Sequence, residues 1–95
     1  MAEVRWTVSA AEDLRHIEDW IARDSARHAV EFVDRLVQVA QRLRLHPRAG
    51  RVVPEFKRRD LREILHRDYR IVYLLERREV MILRVVHGSQ DLRRM

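Results

Sequence analysis

The sequence predicts an α+β fold, with the order β-α-α-β-β-β, in which a helical hairpin packs on one face of a small antiparallel sheet. Two amphipathic segments with helical spacing occupy the first half of the chain. Three apolar, β-branched runs follow at 61–65, 69–73 and 80–87, separated by polar turns. The 95 residues are enough for one domain, 1–95, and one hydrophobic core.

The chain begins with a predicted strand and helix. Apolar and polar residues alternate between Glu3 and Val8, which indicates a short strand with one buried face. Ser9 and Glu12 have the spacing of a capping box, so we expect the first helix to begin there. Its apolar stripe consists of Ala10, Leu14, Ile17 and Ile21.

A second helix is predicted from a cap at Asp24-Ser25 to about Leu45, before His46-Pro47. Its apolar residues cover about half of its circumference, more than one contact surface needs. We therefore expect it to contact both the first helix and the sheet, with an apolar edge left for another chain. An irregular basic connection over 48–60 leads to the three strands, and the first strand could pair in parallel with the last.

The charge balance restricts the classes of partner. Twenty Lys+Arg against fifteen Asp+Glu give a net charge of +5, and Lys57 is the single lysine. Such a chain suggests a nucleic acid, a nucleic-acid machine or an acidic protein as partner, although a general arginine bias would give the same balance. With no cysteine, no histidine pair at ligand spacing and no glycine-rich loop, we expect no metal site and no cofactor. No signal peptide or membrane span is evident, so a cytoplasmic location is expected.

Two-residue turns between the last three strands would gather polar groups on the open face of the sheet. Tyr73 would oppose Ile82, and Val72 would oppose Leu83. Arg70 would oppose Leu65 on one side and Val85 on the other. Arg70 would then lie within reach of Glu63 and His87.

Two interpretations of this polar group are open. It could be a phosphodiester site, with arginine stabilising the phosphate and histidine or glutamate moving protons. The alternative, a cross-strand ion pair beside a strand-end histidine, is the more common arrangement in sheets. A second candidate is a basic patch that would bind backbone phosphates or an acidic protein tail, unless it is a solvated loop. That patch comprises Lys57, Arg58, Arg59, Arg62 and Arg67.

Taken together, these segments resemble the RelE/ParE superfamily of bacterial type II toxins, small basic proteins encoded with a neutralising antitoxin. The resemblance covers nearly the whole chain and implies the same architecture. Its residues are Trp6-Thr7, Ala11-Glu12-Asp13-Leu14, Ile17, Ile21, Pro47, Gly50-Arg51, Pro54-Glu55, Arg62-Glu63-Ile64, Tyr69-Arg70-Ile71-Val72-Tyr73 and Ile82-Leu83-Arg84-Val85-Val86-His87.

One branch of the superfamily cleaves messenger RNA on the ribosome. Likeness to it implies Glu55 as general base, Arg70 as transition-state stabiliser and His87 as acid, with Lys57 or Arg62 near the phosphate. The chain departs from that branch because no tyrosine follows His87, and because a single lysine stands where RelE-like enzymes carry several basic groups.

The ParE branch poisons DNA gyrase, and the long predicted helices favour this branch. The resemblance implies an acidic antitoxin that covers the open sheet face and helix two in a toxin-antitoxin hetero-oligomer. The expected antitoxin-binding residues are Phe32, Leu36, Val39, Leu43, Val72, Leu83 and Val85. The ribosome with its mRNA is the alternative target, and a non-toxic partner-binding relative is a further alternative.

Overall fold

Two helices pack on one face of a five-stranded mixed sheet in a computed structural model that describes residues 1–95. The strands are β1 Glu3–Trp6, β2 Arg51–Val52, β3 Leu61–His66, β4 Tyr69–Leu75 and β5 Glu79–His87. The helices are α1 Val8–Ala22 and α2 Ala26–Gln41, with 3₁₀ turns at Arg42–Arg44 and Leu92–Arg94. The predicted architecture is confirmed, with one short strand, β2, added inside the connection that was predicted to be irregular.

The sheet has the order β1-β5-β4-β3-β2. β1 runs parallel to β5, pairing Val4 with Val80, which is the arrangement that the sequence left open. The other pairings are antiparallel, and β2 extends the sheet by pairing Arg51 with Glu63. The sheet is therefore mixed. β2 runs antiparallel to β1, and the three further reversals from β2 to β5 leave β5 parallel to β1.

Thr7, and not Ser9, caps α1. The Thr7 hydroxyl oxygen accepts from the Ala10 amide at 3.1 Å, and the hydroxyl donates to the Leu83 carbonyl at 2.9 Å. Val8 belongs to the helix, and 75% of its surface is exposed. The capping-box prediction was wrong because Thr7 can cap the helix and bond β5 at once, a tertiary contact absent from the local pattern. In α2 the cap is Ser25, as predicted, accepting from the His28 amide at 3.2 Å.

A β-bulge in β5 changes the predicted strand register. Tyr73 opposes Ile82 and Leu65 opposes Arg70, as predicted. The register shifts between Val72 and Tyr73, so that Val72 opposes Arg84 and not Leu83. Beyond this point the predicted pairs are wrong, because one extra residue in a bulge moves each later side chain to the other face of the strand.

The bulge decides which residues of β5 lie under the helices. Val85 packs in the main core, with Ile17, Leu36 and Tyr73, between the sheet and the helices. Val86 lies instead on the opposite face of the sheet, which we call the front face, and it opposes Arg70. Val85 was predicted to lie on the front face, and that placement is wrong.

The chain covers part of its own front face. Val53 from the connection and Leu92 from the C-terminal 3₁₀ turn pack on Val72 and Val86, with Leu61 at the edge. We call these five residues the front cluster. The prediction of a wholly bare front face is therefore wrong for the half that carries Arg70. None of the helices combines the length and apolar character needed to cross a membrane.

Candidate functional site

Arg70 lies at the centre of an ion network on the front face. Its Nε donates to Glu63 Oε1 at 2.7 Å, and its two terminal nitrogens donate to the two Glu55 oxygens, each at 2.7 Å. A fourth bond joins Arg70 Nη1 to the Gln90 carbonyl at 3.0 Å. Arg51 completes the network by donating its Nε to Glu63 Oε2 at 2.7 Å.

The network is buried, and its charges are tightly paired. The exposed fractions of Arg70 and Glu63 are 6% and 1%. The hydrogen bonds from Arg70 lower the pKa of Glu55 to about 2, against a smaller opposing effect of its burial. The pKa of Arg70 is raised, above all by its bonds to Glu55. Both groups therefore remain charged across the physiological range.

This arrangement holds two surface segments on the sheet. Glu55 belongs to the connection, and its Oε2 also accepts from the Leu92 amide at 3.1 Å. Arg70 binds the same C-terminal region through the Gln90 carbonyl. The predicted ion pair between Glu63 and Arg70 is present. Glu55, which the ribonuclease resemblance assigned to the same site as Arg70, joins this pair together with Arg51 and Gln90. Sequence reasoning did not include Arg51 and Gln90, because their segments were expected to be irregular.

Of the three residues that the ribonuclease resemblance implied, Arg70 and His87 both line a depression of about 300 Å³ at one end of the sheet, but their side chains are not in contact. Glu55 and Arg70 are in contact, but His87 pairs with Tyr69, and their ring centroids are 5.7 Å apart. The ring centroids of Tyr69 and Phe32 of α2 are 5.6 Å apart, so the rings of Tyr69 and His87 lie on the helix side of the sheet. The bulge in β5 therefore pairs His87 with Tyr69 and turns its ring away from Arg70, although both residues border the same depression.

The chemistry available to Arg70 and Glu55 is limited by their partners. Four of the five guanidinium N–H groups of Arg70 already donate within the chain. A carboxylate with a pKa near 2 is a weak base at neutral pH. As folded, this group stabilises structure and does not present a phosphate-binding arginine or a general base.

The residues of the predicted basic patch have separate environments. Arg58 pairs with Asp60 at 2.7 Å, and Arg62 donates to the backbone carbonyls of Arg59 and Gly50. Lys57 is exposed in the connection, whereas Arg67 lies in the turn between β3 and β4, at the opposite end of β3. The five residues therefore do not form one continuous surface.

Most of the residues expected to bind an antitoxin lie inside the fold. Leu36 and Leu43 are fully buried and Val39 is 8% exposed in the core. Val72 and Val85 are 4% and 2% exposed on the two sides of the sheet. Only Phe32 and Leu83 of this set are partly exposed. The expectation that the five buried residues are available to a partner is wrong, because the core between helices and sheet encloses four of them and the front cluster covers Val72.

Other apolar side chains are exposed on the helical hairpin. Trp20 of α1 is 63% exposed, and the Arg23 guanidinium lies 4.8 Å from the centre of its ring. Val30 and Val37 of α2 are 50% and 37% exposed. These two valines belong to the apolar edge that the sequence predicted to be left over. Trp20 was missed because it lies outside the apolar stripe of α1.

A family model and a solved structure match this chain. The family model described as the ParE toxin of the type II toxin-antitoxin system parDE matches residues 4–92. Among solved structures, a chain described as a chromosomal ParDE TA system from P. aeruginosa has a TM-score of 0.78. It is 24% identical, and the match covers 94% of this chain and 98% of that chain. A comparison with curated proteins gives no significant match.

Proposed function

This chain belongs to the ParE toxin family of type II toxin-antitoxin systems, and from that premise we propose that it arrests growth by binding and poisoning DNA gyrase. Its partner in such a system is an antitoxin. The family match over residues 4–92 is the observation that carries the proposal. A gyrase or ribosome target would place its action in the cytoplasm.

The ion network favours gyrase poisoning over mRNA cleavage. A nuclease of the RelE type would need Arg70 free to approach a phosphate and a carboxylate able to accept a proton. Here Arg70 and Glu55 neutralise each other, and the His87 ring packs on Tyr69 and not on Arg70. Binding to a protein target needs no such catalytic group, so the geometry is compatible with a poison that acts by contact.

The exposed part of the hairpin is the surface that we propose for the antitoxin. Trp20, Val30 and Val37 would provide apolar contacts for it, and the Arg23 guanidinium beside Trp20 would be available to a carboxylate of the partner. Antitoxin segments of this kind are acidic, disordered alone and folded on their partner. The pairing would bury apolar surface that a monomer leaves in water.

Supercoiling and translation should be measured side by side on one preparation of the purified chain. We expect inhibited supercoiling or trapped cleaved DNA, with intact transcripts on programmed ribosomes. The variants Arg70→Lys and Glu55→Gln serve as controls, because a nuclease would lose cleavage in both. Transcript cleavage that these variants abolish, with normal supercoiling, would reject the gyrase proposal and favour the ribonuclease. Induced expression without growth arrest would favour the non-toxic relative.

A further inference from the structure

An arginine-lined groove crosses one end of the sheet. Two adjoining depressions, of about 510 and 480 Å³, share the lining residues Ala2, Pro47 and Arg77 and so form one continuous groove. It lies where the N-terminus, the segment after α2, the loop before β3 and the turn between β4 and β5 meet. We call it the arginine groove, and its arginines are Arg44, Arg48, Arg59, Arg77 and Arg78.

The arginines of the groove have no carboxylate partners. None of the five takes part in an ion pair, although seven other arginines of the chain do. All five are exposed. The groove contains two carboxylates, Glu76 and Asp60, and Asp60 is already paired with Arg58 at 2.7 Å. The groove therefore has a strong excess of positive charge that the chain itself does not neutralise.

Hydrogen bonds to backbone carbonyls hold the segments of the groove together. The Ala2 amide donates to the Arg44 carbonyl at 2.9 Å, and the Glu3 amide donates to the Arg78 carbonyl at 3.0 Å. Arg62 Nη1 donates to the Arg48 carbonyl at 3.4 Å. The backbones that carry these arginines are fixed relative to one another, which reduces the entropy lost when a ligand binds.

The Arg48 loop is fixed from inside the fold as well. The buried Tyr73 hydroxyl donates to the Pro47 carbonyl at 2.7 Å and accepts from the Gly50 amide at 3.0 Å. A Cβ at Gly50 would lie 2.6 Å from that hydroxyl oxygen, so the close approach requires glycine. The groove is therefore built on the rigid sheet and not on a loose loop.

We propose that the arginine groove binds the phosphate backbone of duplex DNA. Guanidinium groups form paired hydrogen bonds with phosphate oxygens, and several unpaired ones in a fixed groove match a row of phosphates. The lining contains no aromatic residue on which the bases of a single strand could stack. An acidic peptide is the other polyanion that guanidinium groups bind, and its binding is an outcome of the test below. The proposal does not depend on gyrase as the target.

Binding of the purified chain to a fluorescent duplex of about 20 base pairs tests the proposal, measured by anisotropy over a range of salt concentrations. The test variant is Arg77→Glu/Arg78→Glu. Its matched control is Arg15→Glu/Arg35→Glu, which has the same change in charge at exposed helix positions outside the groove. We expect a loss of at least about tenfold in affinity for the groove variant, and a salt slope shallower by about 2.

The control variant should lose much less affinity than the groove variant. A milder variant, Arg48→Ala/Arg59→Ala, should also lose affinity and keeps the test valid if charge reversal prevents folding, which thermal unfolding would reveal. Equal losses in the groove and control variants would overturn the proposal, as would the absence of duplex binding at low salt. Tighter binding to polyglutamate or to a single strand of equal length would also overturn it, since either result identifies a different ligand.

Discussion

Arg70 has a structural role, although an arginine on an open sheet face suggested a catalytic one. A buried charge is costly unless it is paired and hydrogen-bonded, and Arg70 meets that condition with two carboxylates and a backbone carbonyl. The resulting network joins β3 and β4 to the connection and to the C-terminal turn. Without Arg70, Glu63 would keep only Arg51 and Glu55 only the Leu92 amide as hydrogen-bond partners.

The substitution Arg70→Ala should reduce the free energy of unfolding by about 3–5 kcal/mol, because Glu63 and Glu55 lose their main partner. Urea unfolding followed by circular dichroism measures the change. Arg58→Ala is the matched control, since it removes an arginine from an exposed ion pair with Asp60, and it should change stability little. Similar stability changes in the two variants would show that burial does not distinguish the two ion pairs.

Among the elements, the start of α1 and the bulge in β5 are coupled. Thr7 caps the helix and bonds the Leu83 carbonyl, and Leu83 is the residue left unpaired by the bulge. Asp13 of α1 accepts from the Val85 amide at 2.8 Å and pairs with Arg84 at 2.8 Å. The helix therefore bonds the irregular part of β5 from two positions, which explains how the bulge is accommodated.

Thr7→Ala should destabilise the protein by about 1–2 kcal/mol, because it removes the helix cap together with the bond to β5. Ser9→Ala, at the position that local sequence favoured as the cap, should change stability by less than about 0.5 kcal/mol. Thermal unfolding of both variants measures the difference. Thr7→Ser retains the hydroxyl and should recover most of the loss. A larger effect at Ser9 than at Thr7 would contradict the observed cap.

At the scale of the whole molecule, charged and apolar side chains are exposed on different surfaces. The arginine groove occupies one end of the sheet, the front cluster and the ion network cover part of the front face, and exposed apolar residues lie on the hairpin. A chain with a net charge of +5 can therefore attract an acidic antitoxin while one region remains for a different ligand.

Trp20→Ala should weaken binding of the antitoxin by at least about tenfold, as expected for an aromatic anchor. Val8→Ala is a suitable control, because Val8 is 75% exposed on the same helix and lies about 18 Å from Trp20 along its axis. Calorimetry on the two purified proteins measures both affinities. Equal affinities for the Trp20 and Val8 variants would place the antitoxin elsewhere.

The sequence by itself determined the order of elements, the helical hairpin, the cap at Ser25 and the cross-strand ion pair between Glu63 and Arg70. Each depends on local periodicity, or on residues close together in the chain, so a pattern in the sequence predicts it. The resemblance drawn from those same segments identified the family, and the family match over 4–92 agrees with it.

Only the tertiary structure decided the cap at Thr7, the bulge, the face occupied by Val85 and His87, the partners of Arg70 and the residues that meet in the arginine groove. These depend on contacts between segments far apart in the chain. A single extra residue in β5 reverses every later side chain of that strand, and the sequence has no local feature that distinguishes the two registers. The energy that selects one register comes from packing against α1 and α2, which exists only in the folded chain.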